Sequence, residues 1–162
     1  MVETDLALVL SWRNHPDVRK HMYTQHEITL IEHTSWFKSV LYDDGRHLLI
    51  YEQNNEPLGF ININEINKGR TADWGFYLSP DAPKGTGVSL GKTALNYAFT
   101  NASLHKVCGQ VLGFNEGSIN FHLKLGFKQE GTLRQQYFDG QAYHDIVCFG
   151  LLASEWQHNS EI

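Results

Sequence analysis

An α/β (α+β) fold in a single domain is what this chain predicts, and three observations carry the prediction. Between Ala72 and Thr100 a strand-like stretch, a glycine-bearing loop and an amphipathic helix follow one another. Strand pairs around polar turns flank that stretch, at 47–66 and 127–152. The first forty residues instead carry apolar side chains at helical spacing. At 162 residues the chain is long enough to bury a sizeable core. The domain is expected over 1–156, with a frayed polar tail over 157–162.

Leu6, Leu8, Val9, Leu10 and Trp12 predict a helix that starts at Thr4-Asp5, a reasonable N-cap pair. It should end before Pro16, because the residue preceding a proline resists helix. Val18 to Tyr23 reads as a short second helix, and Thr29 caps a third over Leu30 to Tyr42. His47 to Glu52 and Pro57 to Ile66 read as strands around the turn Gln53-Asn54-Asn55-Glu56. Ala72 to Leu78 is aromatic-rich and closes at Ser79-Pro80, as a strand would. Leu90, Ala94, Leu95, Ala98 and Phe99 give the next helix one apolar face. Lys106 to Leu112 is a further strand, and Asp139-Gly140 turns the closing hairpin.

Composition excludes some functions. A formal charge of −5 with no Lys/Arg cluster argues against nonspecific nucleic-acid or anionic-membrane binding. No run is long and apolar enough to span a membrane, and no basic–apolar leader opens the chain, so a cytoplasmic location is expected. Cys108 and Cys148 sit in apolar, strand-like surroundings and read as buried free thiols. Nine histidines invite a metal, yet neither His-Glu-x-x-His nor Cys-x-x-Cys occurs, so no catalytic metal is expected.

Ala82-Pro83-Lys84-Gly85-Thr86-Gly87 delivers glycines to a helix N-terminus, where unpaired N–H groups and the positive dipole end favour an anion. A plain structural turn explains such a loop equally well. It is not a P-loop, since Gly-Lys-Ser/Thr is absent, nor a dinucleotide fingerprint. Further on, Asn115-Glu116-Gly117-Ser118 and Leu125-Gly126-Phe127 resemble the Asn-x-x-Ser/Ala…Leu-Gly-Phe signature of the GNAT superfamily of acetyl-coenzyme A-dependent N-acetyltransferases. Lys84-Gly85-Thr86-Gly87 resembles the end of that superfamily's pyrophosphate loop, with Ala82 where Gln or Arg is usual. The resemblance implies a mixed, mostly antiparallel central sheet flanked by helices. It also implies a strand before the first helix, which here either is missing or is reduced to a remnant at Met1 to Glu3. Trp12 to Val18, Gly75 to Leu78 and Leu95 to Phe99 are similar to pseudaminic-acid biosynthesis acetyltransferases, in the branch that includes ribosomal-protein N-terminal acetyltransferases.

Site residues follow from the same resemblance. Backbone at Phe76, Tyr77 and Leu78 would polarise the thioester and pair with pantetheine, and Lys84, Gly85, Thr86, Gly87, Val88 and Ser89 would hold the diphosphate. Asn115 and Ser118 would meet the pantetheine arm, although Asn115 also suits a helix cap. His122 stands where the signature often has the tyrosine that protonates the leaving thiolate. An imidazolium can do this, but a hydrogen-bonded helix histidine is the alternative. Asp73 is the candidate general base, or else a structural carboxylate; Glu65 and His144 are weaker candidates, and Asp145 reads as structural. Arg13, Asn14, Met22, Tyr23, Trp36 and Tyr77 would line the acceptor groove, with an arginine fork for phosphate and aromatic faces for uracil. The bland alternative makes Trp36 and Met22 core and Arg13 a surface ion-pair partner. The expected reaction moves acetyl from acetyl-coenzyme A to the 4-amino group of a UDP-linked deoxy amino sugar. The alternatives are a peptide α-amine acceptor and a noncatalytic acyl-coenzyme A binding module. The expected partners are acetyl-coenzyme A and a small amine acceptor, with a homodimer as the assembly considered.

Overall fold

The computed structural model describes residues 1–160, and its six strands form one sheet in the order β1-β2-β3-β4-β6-β5. The strands are β1 (Arg46–Gln53), β2 (Glu56–Asn67), β3 (Thr71–Leu78), β4 (Lys106–Leu112), β5 (Lys128–Phe138) and β6 (Tyr143–Leu152). The helices are α1 (Leu6–Asn14), α2 (Pro16–Arg19), α3 (Leu30–Val40), α4 (Thr86–Asn96), α5 (Glu116–Lys124) and α6 (Ala153–Ser160). β1 with β2, β4 with β6, and β5 with β6 pair antiparallel, whereas β3 and β4 run parallel from Thr71↔Lys106 to Asp73↔Cys108. The mixed, mostly antiparallel sheet is thus present. The chain forms two compact units, Met1–Asn64 with Gly75–Leu90, and Glu65–Trp74 with Gly91–Ile162.

In the first unit, α1 turns Val9 and Trp12 onto Phe60 of β2, and Met1, Trp36, Leu48, Ile50 and Tyr77 pack around them. Each large apolar side chain buried this way contributes roughly 1.5–3 kcal/mol. The turn between β1 and β2 places Asn54 and Asn55 both at positive φ, 55° and 64°, the left-handed pair that a tight hairpin needs. Thr29 and Glu32 close a reciprocal capping box that starts α3. Three details depart from expectation. Asp5 lies in a 3-10 turn, and its carboxylate accepts the Val2 N–H at 2.7 Å instead of capping α1. The second helix starts at Pro16, whose fixed φ suits a first helical position, and ends at Arg19. Met22 and Tyr23 therefore lie in irregular chain between α2 and α3. At the β1 edge of the sheet, the Met1 ammonium donates to Leu48 O at 2.8 Å, one hydrogen bond where a strand remnant was expected.

In the second unit, Val107 and Val111 of β4 and Phe149 and Leu151 of β6 are buried. Cys108 points to the opposite face of β4, so Cys108 and Cys148 are free but half-buried, not buried as expected. α4 runs on into a π-helical turn, Tyr97–Asn101, closed by Ala102 N–H to Tyr97 O at 3.0 Å. α5 ends on Gly126 at φ 92°, with Phe127 N–H returning to His122 O and Gly126 N–H to Leu123 O, both 3.0 Å. In β5, Gln135 adopts φ 51° within a register shift, and Asp145 Oδ1 accepts its N–H at 2.8 Å. The stretch expected as a polar tail begins inside α6, and its residues 161 and 162 lie outside the described residues.

Candidate active site

The glycine loop takes its shape from short local bonds in the first unit. Ser79 N–H donates to Leu58 O at 2.8 Å and Ala82 N–H to Ser79 O at 3.0 Å. Thr86, buried, donates twice to Pro83 O, from N at 3.1 Å and from Oγ1 at 2.7 Å. Gly85 sits at φ 96°, and a β-carbon there would meet nothing within 4 Å, so its backbone faces open space. A cavity of about 410 Å³ lies against this loop, lined by Pro83, Lys84, Gly85, Thr86 and Ser89 together with Gln53, Asn54, Glu56 and Leu58. In the first turn of α4, Thr86 N–H and Val88 N–H are already bonded, to Pro83 O and Gly85 O, both at 3.1 Å. The Lys84 ammonium and the open Gly85 backbone fit a diphosphate, with Glu56 as the one anionic group in the lining.

The acceptor candidates of this unit divide into two groups. Arg13, Trp36 and Tyr77 come together at the Trp12–Phe60 core, where His33 stacks on Trp36 at 5.3 Å and Phe60 packs on Tyr77 at 5.2 Å. Burial pushes the Tyr77 phenol well above its ordinary range, with the Arg13 charge opposing. Arg13 Nη2 donates to Thr24 O at 2.8 Å, while its Nη1 and His33 Nε2 are buried without a hydrogen-bond partner. Asn14 spends its whole amide on one residue, donating from Nδ2 to Ile28 O and accepting Ile28 N–H at Oδ1, both at 2.8 Å. Met22 is half-buried and Tyr23 is 50 % exposed. His33 escaped the sequence reading, although its i,i+3 spacing to Trp36 on α3 places both on one helix face.

The second unit holds Asp73, Asn115, Ser118 and His122. Asn115 Oδ1 accepts the Ser118 N–H at 3.1 Å, so it does cap α5. Asp73 is exposed, and partial burial of its carboxyl raises its pKa from the ordinary value. His122 is 3 % exposed, stacked on Phe149 at 5.1 Å, with Phe127 edge-on. Its Nδ1 lies 2.8 Å from Ser118 O, an acceptor, so Nδ1 carries the proton. Its Nε2 then accepts from Trp74 Nε1–H at 3.1 Å, since an indole can only donate. Burial holds its pKa below the ordinary value, opposed by the Ser118 carbonyl. This geometry supports a core histidine over the proton donor that the signature position suggests. The strand residue beneath that hydrogen bond is Gly109, where a β-carbon would lie 2.6 Å from His122 Nε2 and 3.0 Å from Trp74 Nε1. His144 is tied to the hairpin tip, 2.6 Å from Asp139, whose carboxyl is held at about 2 chiefly by the Ala142 N–H and by His144. Among the described residues, no group of three or more His, Cys, Asp or Glu is placed to hold a metal ion. Among the described residues, no helix is long and apolar enough to cross a membrane.

The fold is that of an N-acetyltransferase. A spermidine N-acetyltransferase from Vibrio cholerae, crystallised with CoA and spermine, superposes with a TM-score of 0.89 at 22 % identity, covering 97 % of this chain and 95 % of that one. The Acetyltransferase (GNAT) domain family matches residues 1–128, and the chain belongs to it. It is an acetyl-coenzyme A-dependent N-acetyltransferase. An uncharacterized N-acetyltransferase, YokL, from a Bacillus subtilis prophage is 32 % identical over 76 % of this chain and 71 % of its own. The spermidine N(1)-acetyltransferase of Escherichia coli is 27 % identical over 88 % and 78 %. The acetyltransferase PseH of Campylobacter jejuni is 30 % identical over 76 % of each chain.

Proposed function

We propose that the acceptor is anionic, a nucleotide-linked amino sugar of the pseudaminic-acid type. The observation that carries this reading is Arg13. Its guanidinium is half-buried, Arg19 is the neighbouring charge, and among the described residues it pairs with no carboxylate. Burying part of a cation with no counter-charge is costly, so the acceptor face favours a ligand that brings the missing negative charge. A polycation would meet repulsion there instead. The similarity to the acetyltransferase PseH also supports this reading.

In this reading the glycine loop from Lys84 to Ser89 holds the diphosphate, and backbone at Phe76 to Leu78 orients the thioester. The amine attacks the carbonyl, the tetrahedral oxyanion is stabilised by fixed peptide N–H groups, and the C–S bond breaks to release coenzyme A thiolate. The amine gives up its proton to water. The thiolate takes its proton from solvent, since His122 has none to give from Nε2. The spermidine acetyltransferase relatives and the net charge of −5 favour a second reading, a polyamine acceptor.

Thiol release from acetyl-coenzyme A separates these readings when measured with a UDP-4-amino-sugar, with spermidine, with a peptide and alone. Release with the nucleotide sugar, and a KM for it raised roughly tenfold or more in Arg13→Gln, is expected. Release with spermidine or peptide alone would overturn the anionic acceptor.

A further inference from the structure

The residues between α2 and α3 make up an irregular segment that carries Met22 and Tyr23. Its ends are chained to α2 and to the α3 cap, but its middle is held by side chains from the last turn of α1. Arg13 reaches Thr24 O, and Asn14 makes a two-way bond to Ile28 that imitates a strand pairing. An ion pair between Arg19 and Glu27 at 3.7 Å and a contact of His26 Nε2 with Glu32 Oε1 at 3.5 Å also hold it, but Glu27, His26 and Glu32 are largely exposed, so these add little. Trp12-Arg13-Asn14 thus faces two ways, with the indole in the core and the next two side chains turned to the segment backbone.

We infer that Asn14 is a positioning residue that sets acceptor affinity without touching the acceptor. It fixes the backbone at Ile28, while Arg13 holds the Thr24 carbonyl, and so keeps Met22 and Tyr23 where an acceptor meets them. The inference rests on the proposed use of this unit for the acceptor. The competent arrangement of the segment is then a population, and the measured acceptor affinity falls in proportion to it. Acetyl-coenzyme A contacts a different part of the unit, the loop from Lys84 to Ser89, and does not feel this population.

The test uses the full chain with whichever acceptor of the panel above releases thiol. Asn14→Ala should raise the acceptor KM roughly tenfold, if the competent fraction falls to about a tenth. The KM for acetyl-coenzyme A should stay within about twofold, and kcat should fall less than the acceptor KM rises. Amide hydrogen exchange should quicken at Ile28, whose N–H loses its acceptor, and not in β4. Asn14→Asp, which keeps the acceptor for Ile28 N–H, should lie between wild type and Asn14→Ala and covers the case in which alanine does not fold. A KM rise shared equally by both substrates, or an unchanged acceptor KM with quickened exchange, would overturn the inference. If nothing in the panel releases thiol, the acceptor reading itself fails. Unchanged exchange over the segment in Asn14→Ala would then overturn the fastening as well.

Discussion

His122 shows how one side chain is decided by partners far away in sequence. The signature position suggests chemistry, but Trp74, 48 residues earlier, donates to its Nε2 and fixes it neutral. Because burial lowers its pKa in the folded chain, the unfolded chain binds the proton more readily. Its contribution to stability is therefore present above the ordinary value of 6.5 and is lost as pH falls through the lowered folded value. Melting curves from pH 8 to 5 should show the wild type losing stability below about 6.5. His122→Asn should melt lower at pH 8 yet lose less on acidification. Its kcat, measured on the folded fraction, should stay within a few-fold, whereas removal of a true acid–base group costs roughly 10²-fold or more. A 10²-fold loss with an altered pH–rate profile would restore the proton-donor role.

At the scale of elements, β4 forms over the residues that its apolar pattern marks, and the loop before α4 lies where the glycines place it. These were legible because the signals are local: alternation for strands, φ-permissive residues for turns. The second helix was misplaced because Pro16 reads as a terminator of α1 when it is also an initiator of α2. The roles of Arg13 and Asn14 were hidden for a different reason, since their partners are backbone atoms, which any sequence supplies. Gly85 gives this scale its prediction. Gly85→Ala should cost roughly 1–2 kcal/mol, the penalty of an L-residue in left-handed backbone, because no clash awaits its β-carbon. Chemical denaturation should show that loss, and calorimetry should show weaker coenzyme A binding as the loop relaxes. Unchanged affinity would remove the loop from the diphosphate site.

For the molecule as a whole, acetyl-coenzyme A is part of the stability balance. A ligand at about 100 times its Kd adds about 2.7 kcal/mol to the folded state. For a chain of this size that corresponds to a rise in Tm of roughly 5–11 °C. Differential scanning fluorimetry with coenzyme A should show it, and Gly87→Glu, which adds repulsive charge to the loop, should abolish it while circular dichroism stays native. A full shift in Gly87→Glu would mean that coenzyme A is held elsewhere.

The bare strand position at Gly109 has a consequence for how this chain can diverge. The indole of Trp74 and the imidazole of His122 meet across it, and a methyl group there would occupy their space. Relatives that replace the glycine should therefore also have replaced His122 or Trp74, and those that keep both rings should keep the glycine. Three positions spread over 48 residues would then be inherited as one character. Substituting alanine at 109 first is the step that drift cannot take, while losing the histidine first opens the route.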